Sequence, residues 1–233
     1  MVEADIDQIR NCAMVIHDAV IDGHRLFVFG CNHASLIAGE ACSRAGCLVL
    51  WNAIHPPGLT MDIRPRGYAD FMEHVEQYGE LIAAQEELAS GDVLVIVSNS
   101  GRNQVPTQLA LAAKSRGVTV IAITSLEHSA AVSSLHSSGK KLFEVSDFVL
   151  DNHAPLGDAV MDVDGTGLKL GAVSTLTGVY IIHALDAEIV DRMVKGGVEV
   201  LPVRKSRNTG GDADEHNALV QERYRDWVKY RVG

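Results

Sequence analysis

From Gly91 to Asn103 the chain reads GDVLVIVSNSGRN. Five consecutive apolar residues, Val93 to Val97, run directly into Ser98, Asn99, Ser100, Gly101, Arg102 and Asn103, and then into a helix-like stretch from Pro106 to Lys114. A strand apolar at every position has to be covered on both faces, which is the condition of a parallel sheet packed between helices. The turn that follows gathers hydroxyls, amides and a glycine where a helix begins. Backbone N–H groups and the positive end of the helix dipole converge there, so the turn suits an anion, and a phosphate is the expected guest. An ordinary capped turn uses the same residue types, since Ser and Asn favour helix starts.

The rest of the chain repeats the strand–helix rhythm. Ile6, Ile9, Ala13, Ile16 and Val20 recur at helical spacing up to Gly23, and Leu26 to Phe29 is a short strand closed by Gly30. Ala34 to Ala45 reads as helix, Leu48 to Trp51 as the second strand, and Asn52 to Arg66 as a loop. Tyr78 to Ser90 is helical ahead of the third strand, Val93 to Val97. Val118 to Ile123 and Phe148 to Leu150 supply the fourth and fifth. Leu168 to Met193 reads as one long buried helix, and Ala218 to Tyr230 as a final amphipathic one. Alternating strands and helices imply an α/β fold, a three-layer α/β/α sandwich around a five-stranded parallel sheet. In the doubly wound order 2-1-3-4-5 the loops Gly30–Ser35 and Ser98–Asn103 face each other across a crevice. We expect one domain over residues 1–195 and an extension over 196–233 that packs on it or on a neighbouring subunit.

Composition narrows the partners. With 30 acidic against 20 basic residues and a formal net charge of −10, the chain repels polyanions, so nucleic acid is not an expected ligand. No apolar run approaches the ~18 residues that span a bilayer, and MVEADIDQIR lacks the basic start of a signal peptide, so no membrane partner and a cytoplasmic location are expected. The four cysteines show no CxxC pair and read as reduced core thiols. Neither Gly30 nor Gly139-Lys140 has the glycine spacing of a nucleotide loop.

Several segments taken in order, FGCNHAS at Phe29–Ser35, Glu40 with Arg44-Ala45-Gly46, SNSGRN at Ser98–Asn103, TSLEHS at Thr124–Ser129, DNHAPLGDA at Asp151–Ala159, and PVRKSRN at Pro202–Asn208, resemble the sugar isomerase (SIS) domain superfamily. More narrowly, they resemble its single-domain phosphosugar-binding proteins related to phosphoheptose isomerase. The resemblance implies a flavodoxin-like sandwich, a small phosphorylated sugar as ligand, and a homodimer or homotetramer. The chain departs from the pattern at Asn32, where a glycine is usual, at Ala34, where a serine is common, and at Gln108, where a glutamate is usual.

On this resemblance Ser98, Asn99, Ser100, Gly101, Arg102 and Asn103 hold the phosphate, with Thr124 and Ser125 as a second hydroxyl pair. His33, Ser35 and Arg44 contact the sugar. Glu40 stands where a catalytic glutamate is found and His183 where a histidine transfers protons, which implies aldose–ketose isomerisation through an enediol. The residues also admit bland readings: Glu40–Arg44 as a surface i,i+4 pair, and His183 as a core histidine. A non-catalytic phosphosugar sensor and a lyase of lactyl-ether phosphosugars are the alternatives. In phosphoheptose isomerases the glutamate and histidine join a second His and a Gln around zinc. Leu36 and Thr175 stand at those places here, so no metal of that kind and no other cofactor is expected.

Overall fold

A computed structural model describes residues 5–42 and 44–229. The apolar runs form strands β1 (Leu26–Gly30), β2 (Trp51–Ile54), β3 (Val93–Val97), β4 (Thr119–Thr124) and β5 (Phe148–Asp151), paired in parallel in the order β2-β1-β3-β4-β5. Around them run α1 (Ile6–Ile21), α2 (Ala34–Ala41), α3 (Gly67–Met72), α4 (Gln77–Gln85), α5 (Gln104–Ser115), α6 (Leu126–Ala131), α7 (Leu142–Val145), α8 (Ser174–Lys195) and α9 (Ala213–Arg223). Period-two alternation divides each central strand between two cores. Leu26, Val28, Val93, Val95 and Val97 pack with Ile16 of α1, Ile37 of α2 and Ile181 and Leu185 of α8. Phe27, Phe29, Leu94 and Ile96 pack with Ile82 of α4 and Leu109 of α5. Because the β1–β2 crossover lies on the first face and the β3–β4 crossover on the second, the sheet opens at the carboxyl ends of β1 and β3.

Several expectations are corrected. Leu48 to Trp51 is not the second strand. Residues 47–49 instead pair with the C-terminal segment through Val49 N–H to Pro202 O (2.8 Å) and Arg204 N–H to Cys47 O (3.2 Å), and the sheet strand begins only at Trp51. Leu168 is not the start of the long helix. Leu168–Ala172 is a strand, β7, pairing antiparallel with β6 (Ala159–Val163) around the turn Asp164–Gly167. Gly171, with φ +78°, takes a conformation that a helix excludes. Asp158 then fixes where α8 begins, its carboxylate accepting from Val173 N, Ser174 N and Ser174 Oγ at 2.7–3.0 Å. The last helix is α9, ending at Arg223 rather than near Tyr230.

The expected Ala34–Ala45 helix stops at Ala41, because Cys42 turns extended and its thiol donates to Trp51 O. The expected Tyr78–Ser90 helix ends at Gln85. Ser43 and Tyr230, which the sequence reading includes in helices, lie outside the described residues. Beyond α8 the chain returns to the first core: Val220 and Tyr224 are buried there, the Trp227 indole donates to Val20 O (3.0 Å), and the buried Asn52 amide donates to Trp227 O (2.9 Å). Among the described residues no helix is long and apolar enough to cross a membrane.

Candidate functional site

At the carboxyl ends of β1 and β3 lies a cavity of about 270 Å³. One wall is the exit of β1, from Cys31 to Ala34, with Ile37 of α2; the other is Val97 to Ser100 with Asn103. Glu73, His128, Asn152, Asp158, Ser174 and Thr175 close it from remote parts of the chain. Among the described residues no Lys or Arg lines it. An anion held there is bound by hydroxyls, amides and peptide dipoles, as suits a protein of net charge −10.

Local geometry makes the Ser98–Asn103 turn receptive. Asn103 sits at the N-cap of α5 with extended backbone (φ −78°, ψ 155°), yet its side chain makes no capping bond. Of the first residues of this 12-residue helix, Val105 N–H donates to Glu73 O (3.2 Å) and Pro106 has no N–H, which leaves Gln104 N–H without a side-chain cap. Among the described residues the Ser98 and Ser100 hydroxyls have no hydrogen-bond partner either. Asn99 braces the wall instead, its Oδ1 accepting from Asn152 Nδ2 (3.0 Å) and its Nδ2 lying 3.3 Å from His128 Nδ1.

On the opposite wall Asn32 has φ +49°, a region that asparagine tolerates better than most residues. Its amide donates to Glu73 Oε2 (2.9 Å) and to Asp70 Oδ1 (3.2 Å). His33 is exposed beside it at the head of α2.

The remaining hydroxyl residues expected at the ligand are structural. Thr124 and Ser125 are fully buried; Thr124 Oγ1 donates to Asn99 O (3.1 Å), and Ser125 Oγ donates to Ala154 O (2.6 Å) while accepting from His128 N (3.0 Å). Ser35 Oγ donates to Asn32 O (2.6 Å) and accepts from Met61 N (3.2 Å), clipping the β2–α3 loop onto α2. Gly101 and Arg102 do not line the cavity. At φ +58° Gly101 is pressed against α6, where an added Cβ would come within 3.2 Å of the Thr124 and Ser129 hydroxyls. The Thr124, Ser125 and Ser35 hydroxyls are thus committed to protein partners, while Ser98, Ser100, Asn103 and His33 line the cavity.

A family model described as an SIS domain matches residues 1–125, just over half of the chain. The chain belongs to the SIS domain family. Among its relatives, a UPF0309 protein of Shouchella clausii is 39% identical over 220 residues, covering 94% of this chain and 89% of that one. Another, from Oceanobacillus iheyensis, is 37% identical over 228 residues, covering 98% and 92%. A phosphoheptose isomerase from Francisella tularensis, of known structure, shares the fold with a TM-score of 0.50 at 16% identity, over 82% of this chain and 88% of that one.

In this SIS domain Glu40, Arg44 and His183 stand apart from the cavity. Glu40 is nearly one turn beyond Ile37 on α2 and forms an ion pair with Arg44. Glu40 Oε1 lies 3.7 Å from His183 Nε2, and the other ring nitrogen lies 3.7 Å from Asp186 Oδ2. Asp186, 6% exposed, accepts from the Trp51 indole through Oδ1 (2.7 Å), while its Oδ2 is buried with no hydrogen-bond partner. Burial pushes the Asp186 carboxyl up to about 6, against the lowering influence of Trp51 and His183. Burial likewise lifts the neighbouring Cys47 thiol to about 11, with the charges of Asp186 and Glu40 adding and Arg44 opposing. The second His and the Gln of the phosphoheptose isomerase zinc set have no equivalents: Leu36 is half exposed and carries no donor atom, and Thr175 lies in the cavity wall, so the residues present do not fit that site.

Sequence reasoning gave no phosphosugar contact to Glu73, His128 or Asn152, although His128 and Asn152 fall in the TSLEHS and DNHAPLGDA segments of the resemblance. Their positions relative to Ser98 depend on how loops fold over the sheet, and no local spacing signals them.

Proposed function

We propose that the cavity binds the phosphate of a small phosphosugar and that the protein interconverts its aldose and ketose forms. The observation that carries the reading is the pair of unpartnered hydroxyls, Ser98 and Ser100, at the N-terminus of α5, where no side chain caps the helix. A phosphate satisfies these hydroxyls and the Gln104 N–H together, at the positive end of the helix dipole. The sugar then extends toward His33 and Glu73. Membership of the SIS domain family, and the fold shared with a phosphoheptose isomerase, support the same substrate class.

Isomerisation requires a base that carries a proton between carbons one and two of the opened sugar. Within the cavity Glu73 is suited to this, since Asn32 holds one carboxylate oxygen and leaves the other for the substrate. His33 serves the ring oxygen or a hydroxyl. Glu40 and His183 take no part in that step, because they do not line the cavity. Exposed Leu176 and Tyr180 on α8, with Leu168 and Leu170 on the hairpin, support assembly as a homodimer or homotetramer. Beyond the 1–195 domain, Val220, Tyr224 and Trp227 of the C-terminal extension pack on the first core, and the protein acts in the cytoplasm.

Calorimetry with four- to seven-carbon sugar phosphates, followed by NMR detection of solvent deuterium at carbon one or two, tests this. Each hydroxyl bond to a charged phosphate contributes about 1.5–3 kcal/mol, so Ser98→Ala and Ser100→Ala should each weaken binding ~10- to 150-fold. Glu73→Gln should keep binding and lower exchange ~10²- to 10⁴-fold. Binding without exchange in the parent protein would make it a sensor. No heat with any sugar phosphate or with inorganic phosphate would remove the reading.

A further inference from the structure

We propose that Cys47, His183 and Asp186 form a binding site for a divalent cation of the zinc class. One donor atom from each residue lies within 4.8 Å of the other two. Donors around a tetrahedral zinc ion, with bonds of about 2.0–2.3 Å, stand roughly 3.3–3.8 Å apart. His183 Nδ1 and Asp186 Oδ2 already stand at 3.7 Å, and the Cys47 thiol, which donates to Glu40 O at 3.5 Å, joins them by giving up that bond.

The independent observation is the unpartnered Oδ2 of Asp186. Its residue is more than nine-tenths buried and its other oxygen is held by Trp51, so Oδ2 faces His183 Nδ1 at 3.7 Å, too far for a hydrogen bond. A buried carboxylate oxygen without a donor is costly, and a cation bound between it, the imidazole and a thiolate removes that cost. The surroundings also orient the donors as metal ligands usually are. Glu40 faces the outer nitrogen of His183 at 3.7 Å, and the indole fixes the Asp186 carboxylate at 2.7 Å.

The fold brings the trio together. His183 and Asp186 share one face of α8 at i,i+3. Cys47 is presented by the pairing of residues 47–49 with the C-terminal segment. Cys47 and Asp186 lie beneath the surface while His183 is 41% exposed, so an ion enters past the imidazole. A sulfur, nitrogen and oxygen donor set selects zinc over magnesium or calcium, and three protein donors leave a fourth position for water or an incoming ligand. The set shares only His183 with the zinc site of phosphoheptose isomerases. On binding, the metal–sulfur bond replaces the S–H bond and the proton leaves to the buffer.

Cobalt(II), a spectroscopic stand-in for zinc, tests the site in chelator-treated full-length protein without any sugar, so the result is separate from the phosphosugar reading. One equivalent should bind per chain, with a thiolate-to-cobalt charge-transfer band, tetrahedral d–d absorption and release of about one proton. Cys47→Ser should abolish the charge-transfer band and weaken binding at least ~100-fold; His183→Gln, at a half-exposed position that does not threaten folding, at least ~10-fold. Cys42→Ser, whose thiol donates to Trp51 O, should leave the spectrum unchanged. Glu40→Gln should weaken binding about 10-fold through the imidazole. Absence of binding, a spectrum without the thiolate band, or equal affinity in Cys47→Ser and His183→Gln overturns the proposal.

Discussion

Replacing Gly30 with alanine tests whether the turn out of β1 depends on a close backbone approach. The chain leaves the strand and winds back into α2 so tightly that a Cβ on Gly30 would stand 2.5 Å from the carbonyl carbon and oxygen of Ala34 and 2.7 Å from its Cβ. Ordinary contact begins near 3.4 Å, so α2 has to retreat by about 0.9 Å. The helix has nowhere to go: Ile37, Ala38 and Ala41 are buried against the sheet and α8, and Asn32 N–H is bonded to Leu59 O (2.8 Å).

Overpacking of this kind costs about 3 kcal/mol. The smaller entropy of the unfolded alanine chain returns only ~0.5–1 kcal/mol, so a net loss of about 2–2.5 kcal/mol remains. For a chain of this size each kcal/mol shifts the melting temperature by about 2–4 °C, which predicts a drop of roughly 4–10 °C. Gly67→Ala is the control, because nothing lies within 4 Å of its added Cβ at the start of α3, and it should be neutral or slightly stabilising. Thermal melts by circular dichroism and urea titrations read both. If Gly30→Ala melts within about 1 °C of the parent, or no lower than Gly67→Ala, the close approach does not constrain this fold.

Asp186 makes stability depend on pH in a direction opposite to an ion-paired acid. Its folded value near 6 exceeds its usual 3.8, so the native state holds the extra proton and the contribution falls as pH rises through about 4 to 6. In chelator-treated protein Asp186→Asn should therefore gain up to about 3 kcal/mol over the parent at pH 8 and nothing near pH 4, read by urea titration at each pH; a pH-independent difference would contradict this. Asp92, 4% exposed, accepts from Arg25 N (2.9 Å) and Ala89 N (3.0 Å), and Asp92→Ala should cost about 3 kcal/mol by stranding both donors. Asp158→Ala should lower the melting temperature by several degrees through loss of the α8 cap, with Asp158→Asn restoring most of it, since asparagine tolerates the φ of +68° there. A melt unchanged in Asp158→Ala would deny the cap its role.

The sandwich was legible because parallel strands have to be apolar throughout. VLVIV and VIAI can be nothing else in a chain of this polarity, and the hydroxyl turn after β3 follows from the βα junction alone. The hairpin of β6 and β7 escaped notice because Leu168 to Ala172 joins an apolar helix without a break in hydrophobicity. The turn Asp164-Gly165 and Gly167 was the signal available for it. Leu48 to Leu50 looked like a strand and does pair, but with Pro202 to Arg204 across the molecule.

The site divides along the same line. Strand apolarity and βα turn chemistry are written within a few consecutive residues, so the sequence by itself determined the layers and the hydroxyl turn, whereas the crevice depended on the strand order β2-β1-β3-β4-β5 that the tertiary structure supplies. Which hydroxyls remain free is a matter of partners distant in the chain: Ala154 occupies Ser125 and Met61 occupies Ser35, while Glu73 arrives beside Asn32 from 41 residues away. The same holds for Cys47, His183 and Asp186, separated by up to 139 residues yet gathered at one point where the C-terminal segment crosses β2 and α8. Long-range packing sets these encounters, because hydrogen-bond and ligand geometry depends on distances in space that local sequence does not encode.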